Sequence, residues 1–242
     1  MLEPTTTIPL ESAGQATAAS RLYQKLRSDI LLGELEPGSK LRLSALARHY
    51  DAGAIPLREA LNRLSAEQLV SQHDRRGFYV CDISQEDVID LTQVRCWLYE
   101  GALRASIARG GREWEDELVL SFYRLGEISR YENNDPAKVN RAWMDPHRRF
   151  HTALIAACGS RRTISISENL FDQAERYRNL ARLKDYKASV HEEHRSIMEA
   201  ALRRDADTAV RELLEHLRAT CDTVVKALQK KNSAARAKTR SA

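Results

Sequence analysis

Four of the seven histidines lie on apolar helical stripes, where an imidazole can serve as a metal ligand. His147 and His151 are four residues apart, so both rings project from one face of a helix. His194 and His216 each lie on the apolar stripe of a later helix, and His191 beside one of them is a weaker candidate. One such histidine alone is more often a hydrogen-bonded core residue. Four on three inward faces favour a metal site, and neutral imidazoles suit Zn, Ni, Cu or Fe.

Two arginines, Arg95 and Arg178, also lie on inward-facing stripes. A guanidinium keeps its charge, so an interior arginine needs an anionic partner. One interpretation is a salt bridge to a glutamate of the chain, for which the candidates are Glu100, Glu168 and Glu175. The other is that both arginines bind the carboxylate of a small acid beside the metal, in bidentate geometry. The neighbouring histidines favour the bound acid.

The elements that must position these residues are six helices, indicated by apolar periodicity and by the breaks between the periodic segments. Ser84 is placed to cap the first of them, and Gly110-Gly111 and Gly159-Ser160 are among the breaks. The predicted ranges are 85–109, 113–133, 137–158, 161–182, 186–203 and 205–231. No strand pattern interrupts them. The sequence therefore predicts a mainly α protein that ends in an all-helical, six-helix antiparallel bundle.

The segment before the bundle has the pattern of a winged helix-turn-helix. A helix over 17–32 precedes a short helix over 43–50, and a further helix begins at Pro56. Two extended runs, 69–72 and 78–81, then flank a basic turn. This order predicts one helix sized for the major groove and a basic hairpin for the DNA backbone or the minor groove.

Five residues of this segment are candidate DNA contacts. Arg58 lies on the outer face of the recognition helix and is the best candidate for a base or phosphate contact. Arg48 and Arg63 are interpreted as phosphate contacts, with a solvated surface charge as the open alternative. Arg76 and Gly77 form the tip of the wing.

Composition agrees with a soluble globular protein of 242 residues, of which 43% are hydrophobic and 30% charged. No apolar run approaches the length that crosses a bilayer, so no membrane partner is expected. The first twenty residues contain neither Lys nor Arg, which argues against a secretory signal. Four scattered cysteines without a C-x-x-C pair predict free thiols in a reducing cytoplasm.

Basic charge is concentrated at the C-terminal end of the chain. Between Thr223 and Ala242 there are six basic residues and no acid, and without them the net charge of +4 becomes −2. The expected domains are a flexible N-terminus over 1–16, a winged helix-turn-helix over 17–82, a helical effector and dimerisation domain over 84–231, and a basic disordered tail over 232–242.

Two parts of the chain resemble known families. Residues 19–81 resemble the GntR-type winged helix through the Pro37–Leu41 turn, Leu46-Ala47 and the run Pro56–Leu61. Residues 84–222 resemble the FCD effector domain of the FadR-like subfamily through Val94-Arg95, Phe150–Leu154, Arg176–Arg178, Glu193-His194 and His216-Leu217. Within that subfamily the text resembles the carbon-starvation regulator branch, which represses glutarate and γ-aminobutyrate catabolism.

The resemblance implies metal ligands at His147, His151, His194 and His216. The family usually has Asp at the first of these positions, and a neutral ligand there favours Zn or Ni over hard cations. Two further departures are Gly53-Ala54-Ile55, where the family has Ser-Arg-Thr and hence one more DNA-contacting arginine, and Tyr99, where it has Glu.

Together these features predict a ligand-responsive transcriptional regulator, a repressor and not an enzyme. A homodimer would bind a pseudo-palindromic double-stranded DNA operator, and a small carboxylic acid at the metal site would shift the dimer and release the DNA. One alternative is a metal-dependent enzyme with a DNA-binding appendage, which a turnover assay would reveal. The other is a direct metal sensor, whose DNA affinity would follow metal concentration without an organic ligand.

Overall fold

The computed structural model describes residues 17–135, 138–181 and 189–240, and its N-terminal part is a small domain of helices and one sheet. The helices are α1 (Ala18–Leu32), α2 (Leu43–Tyr50) and α3 (Ala54–Ala66). The strands are β1 (Lys40–Leu41), β2 (Val70–His73) and β3 (Gly77–Val80), paired antiparallel in the order β1-β3-β2. The predicted winged helix-turn-helix is confirmed. The sequence missed β1, because two residues are too few to show an alternating pattern.

Helix α3 begins two residues earlier than predicted, at Ala54. Gly53 precedes it in an extended conformation, and Pro56 then falls within the first turn, where its missing N–H costs no helical hydrogen bond. Leu57, Ala60, Leu61 and Leu64 face the core of this domain and are completely buried, as their spacing predicts.

The C-terminal domain is a bundle of six helices among the described residues, in agreement with the sequence. They are α4 (Gln85–Arg109), α5 (Arg112–Gly126), α6 (Arg141–Ile155), α7 (Arg161–Leu180), α8 (Ser189–Leu202) and α9 (Ala206–Arg240). Helix α5 ends at Gly126, seven residues before the predicted end, because glycine is a poor helix former. The connection to α6 contains a 3₁₀ turn at Glu132–Asn134 and a β-bridge between Tyr131 and Val139.

The last helix is longer than the sequence predicts. Helix α9 runs to Arg240, where the sequence had predicted a disordered tail from residue 232. Ala, Lys and Arg are strong helix formers, and extending an existing helix avoids the cost of nucleation. The flexible N-terminus expected over 1–16 lies outside the described residues. Within the ranges described, no helix is both long and apolar enough to span a membrane.

The two domains meet where α1 packs against α7. Arg27 of α1 forms an ion pair with Asp172 of α7, and both side chains are buried. The amide Nδ2 of Asn179 donates to the carbonyl of Leu31, at 3.1 Å. From α6, Arg141 donates to the hydroxyl of Ser28 at 2.7 Å. Helices α6 and α7 of the bundle therefore contact the N-terminal domain directly.

Candidate metal centre and nucleic-acid interface

The bundle brings the four predicted histidines together in its interior. His147 and His151 come from α6, His194 from α8 and His216 from α9, and none is more than 4% exposed. One ligand nitrogen from each of His147, His151 and His194 lies within 4.8 Å of the others. His216 is outside this group of three, but its ring centroid is 4.7 Å from that of His194. We call the four residues the histidine cluster.

Two members of the cluster have a carboxylate behind the ring. The Nδ1 atom of His147 is 3.1 Å from Oε2 of Glu175, and Nδ1 of His216 is 2.8 Å from Oε2 of Glu193. A carboxylate in this position holds the proton on Nδ1 and leaves the Nε2 lone pair for a metal. Glu193 is half-exposed, whereas Glu175 is buried.

His194 carries the strongest indication that the cluster is built for a ligand. Neither of its ring nitrogens has a hydrogen-bond partner among the described residues, although the side chain is completely buried. An unsatisfied buried polar atom is costly, and native proteins leave few of them. The donor set of three converging imidazoles fits a divalent transition metal, which would bind the one His194 nitrogen that faces the other two rings.

The buried environment of the four imidazoles favours their neutral form. Burial is the main reason that the pKa of each lies below that of a free histidine, and the positive charge of Arg178 lowers the pKa of His147 and His194 further. The Glu193 carboxylate opposes this effect at His216. Neutral imidazole is the form that binds a metal.

The two predicted arginines differ in their surroundings. Arg178 forms a buried ion pair with Glu175 and lies 3.4 Å from the His147 ring nitrogens, so the glutamate interpretation holds for its charge. Arg95 is equally buried, but no carboxylate in the described ranges lies within ion-pair distance of it. Its guanidinium instead lies 5.8 Å from the Tyr99 ring and 5.9 Å from the Phe171 ring.

Another buried arginine near the cluster, Arg130, was not predicted from the sequence. It is 4.0 Å from Glu175 and lies over the ring of Trp143, at 5.0 Å. Because Arg130 belongs to the non-helical connection between α5 and α6, no apolar periodicity marks it as inward-facing. The residues around it, between Gly126 and Asn133-Asn134, contain no other motif that indicates its role.

The DNA-binding domain has a basic groove between α3 and the wing. The predicted contacts Arg58 and Gly77 line it, and so do three cations that the sequence analysis did not assign: Lys40, Arg42 and Arg75. Lys40 lies in the short strand β1 and Arg42 directly follows it, and no sequence pattern indicated this strand. Arg75 lies in the basic turn of the wing, where its φ of +58° is left-handed.

The remaining predicted contacts lie outside this groove. Arg48 on α2 and Arg76 at the wing are exposed. The guanidinium of Arg63 lies 4.0 Å from the centroid of the Tyr23 ring, and the hydroxyl of Tyr23 donates to Glu67. This packing between α3 and α1 gives Arg63 a structural role that its exposed position in the sequence pattern did not suggest.

Comparison with known proteins places both domains. Residues 18–80 match the family model described as bacterial regulatory proteins, gntR family, and residues 90–219 match that of the FCD domain. The HTH-type transcriptional regulator BphR of Paraburkholderia xenovorans is 36% identical over 217 residues, which cover 89% of each chain. The HTH-type transcriptional repressor GlaR of Escherichia coli is 33% identical over 204 residues, covering 81% of this chain and 90% of that protein.

Solved structures show the same fold. The Escherichia coli protein McbR/YncC has a TM-score of 0.71 at 17% identity, covering 88% of this chain and 99% of that one. A GntR regulator from Rhodococcus has a TM-score of 0.69 at 20% identity, covering 86% and 98%. At these identities the likeness concerns the fold alone.

Proposed function

This chain belongs to the gntR family of bacterial regulatory proteins and carries an FCD domain. We propose that it is a repressor and that a small carboxylic acid releases it from its operator. Its family consists of DNA-binding transcriptional regulators, which sets aside the alternative of a metal-dependent enzyme. FCD domains bind small-molecule effectors and metals. For this chain we propose the identity of the metal, the class of the effector and the direction of regulation.

The observation that carries the effector site is the convergence of His147, His151 and His194 with unpartnered ring nitrogens on His194. We assign these three residues and His216 as the ligands of one Zn or Ni ion. A bound ion would supply Lewis-acid chemistry at the place where these four side chains meet. Glu175 and Glu193 orient the imidazoles from behind.

The charge of the effector follows from Arg95. A buried guanidinium without a carboxylate partner is unfavourable, and an acid bound beside it removes that cost. Phe171 connects the two parts of the site, since its ring is 5.9 Å from the Arg95 guanidinium and 5.2 Å from the His151 ring. Arg178 contributes a second cation that Glu175 already partly neutralises.

On the DNA side, two copies of the chain would present two grooves to a pseudo-palindromic operator. Arg58 is the proposed base contact, and Lys40, Arg42 and Arg75 are proposed phosphate contacts beside it. The contacts of α6 and α7 with α1 give a physical route by which binding in the bundle changes the placement of the grooves. The change in operator affinity cannot exceed the difference in effector affinity between the two arrangements.

A thermal-shift screen of small carboxylic acids tests this function. Wild-type protein loaded with Zn or Ni is compared with His194→Ala, because a ligand stabilises only the protein that binds it. We expect at least one acid to raise the melting temperature of the loaded wild type and to leave His194→Ala unchanged. Equal shifts in both proteins, or release of DNA by metal alone, would overturn the assignment and favour nonspecific binding or direct metal sensing.

A further inference from the structure

The first turn of the recognition helix exposes an apolar side chain. Ile55 is 82% exposed, more than any other large apolar residue in the described ranges. It lies at the second position of α3, and the exposed residues Arg58, Glu59 and Asn62 continue the same face of the helix. Those three have groups that hydrogen-bond to base edges, whereas Ile55 has none.

We infer that Ile55 reads the 5-methyl group of a thymine in the operator. The N-terminal residues of a recognition helix are those that reach base edges in the major groove. There, the thymine methyl is the one base feature that an apolar side chain recognises. The inference rests on the proposed binding of DNA by the groove of α3 and the wing.

Charge around Ile55 determines which partner covers it. Lys40, Arg42, Arg58 and Arg75 line the adjoining groove and attract a phosphate backbone to this face. The neighbouring Gly53 has no side chain and Ala54 has only a methyl group, so neither is large enough to keep Ile55 away from a base. Duplex DNA fits both features, because it offers phosphates to the cations and methyl groups to the isoleucine.

Replacement of thymine by deoxyuridine tests the contact, since this change removes the methyl group alone. The operator is first obtained by selecting bound duplexes from a random pool with the full-length wild-type protein. Each thymine of a half-site is then replaced in turn, and affinity is measured at fixed salt for wild type, Ile55→Ala and Ile166→Ala. Ile166 is a matched control, because it is 50% exposed on α7, outside the groove.

For wild type and Ile166→Ala we expect one thymine position at which deoxyuridine weakens binding by about fourfold, the value of one buried methyl group. Ile55→Ala should bind the natural operator about that much more weakly and be insensitive to deoxyuridine at that position. Undiminished sensitivity in Ile55→Ala, or no sensitive thymine in wild type, would overturn the inference while DNA binding itself stands. Failure of wild type to select any duplex would instead refute the proposed function.

Discussion

Glu175 is the carboxylate around which the buried cations of the bundle are arranged. It faces Nδ1 of His147, forms an ion pair with Arg178 and lies 4.0 Å from Arg130. The resembling family usually has Asp where this chain has His147. Here the negative charge remains near the cluster, but it acts through an imidazole that lies between Glu175 and the other ligands. A neutral inner set of this kind favours Zn or Ni.

The metal content of the purified protein tests whether the histidine cluster binds a metal. Purified wild type should carry close to one divalent transition metal per chain by elemental analysis, and His194→Ala should lose it because one of three converging nitrogens is removed. Glu193→Ala should keep the ligands but lower metal affinity about 10–100-fold. His191→Ala is the control, since His191 stacks on Phe122 and lies outside the cluster. A wild type without metal would return the histidines to an ordinary core role.

Arg178 and Arg95 should differ in their effect on the free energy of unfolding. Arg178→Met deprives the buried Glu175 carboxylate of an ion-pair partner and should lower the free energy of unfolding by about 3 kcal/mol. Arg95→Met removes a buried charge that has no carboxylate partner in the described ranges, so stability should stay equal or rise. Urea unfolding measures both, and operator release by the identified acid should be lost in Arg95→Met. A destabilised Arg95→Met that still releases DNA would make this arginine structural.

Helix α7 belongs to the bundle and also packs against α1 of the N-terminal domain. Glu175 and Arg178 face the histidine cluster, whereas Asp172 and Asn179 contact α1. The C-terminal end of α1 is closed by Gly33, whose φ of +79° is left-handed and whose Cα faces Leu180. This end of α1 is therefore fixed by α7 as well as by its own cap.

Two glycines allow this contact to be measured. Gly33→Ala and Gly77→Ala both place alanine at positive φ, which costs about 1–2 kcal/mol. An added Cβ at Gly33 would also lie 2.5 Å from Leu180 Cδ2. At Gly77 an added Cβ would have no atom of a described, non-adjacent residue within 4 Å. The end of the flexible Leu180 side chain must shift to make room, so Gly33→Ala should lose somewhat more in urea unfolding, up to about 1 kcal/mol. Equal losses would show that α7 does not press on this end of α1.

The recognition helix gives a prediction on DNA. Arg58→Ala should weaken operator binding by about 1–3 kcal/mol, because Arg58 lines the basic groove. Arg63→Ala should leave affinity nearly unchanged, since its guanidinium is stacked on Tyr23. Fluorescence anisotropy with a labelled operator at fixed salt compares the two. A larger loss in Arg63→Ala than in Arg58→Ala would contradict this placement of the contact face.

Periodicity carried the prediction of the long elements and of the inward histidines, because burial of a helix face repeats every three to four residues. It could not find β1, which has two residues, or Arg130, which lies in an irregular connection. It also could not distinguish Arg95 from Arg178. Both lie on inward stripes, and the difference between them is a tertiary contact with Glu175.

The basic groove and the histidine cluster lie in separate domains. These domains contact each other through α1, α6 and α7. Arg141 of α6 contacts Asp29 at 3.2 Å, and Asp29 accepts a hydrogen bond of 2.6 Å from the hydroxyl of Tyr50 on α2. A continuous set of polar contacts thus leads from the helix that carries His147 to the helix-turn-helix. By the proposed mechanism, a ligand that favours one arrangement of α6 would bias the position of the DNA-binding elements.

The most direct test is the release of a labelled operator by small carboxylic acids, measured by anisotropy on metal-loaded wild type and on His194→Ala. We expect wild type to bind the operator and at least one acid to release it, whereas His194→Ala should bind equally well and be released by none. Equal release of both proteins by the same acid would contradict an effector site at the histidine cluster.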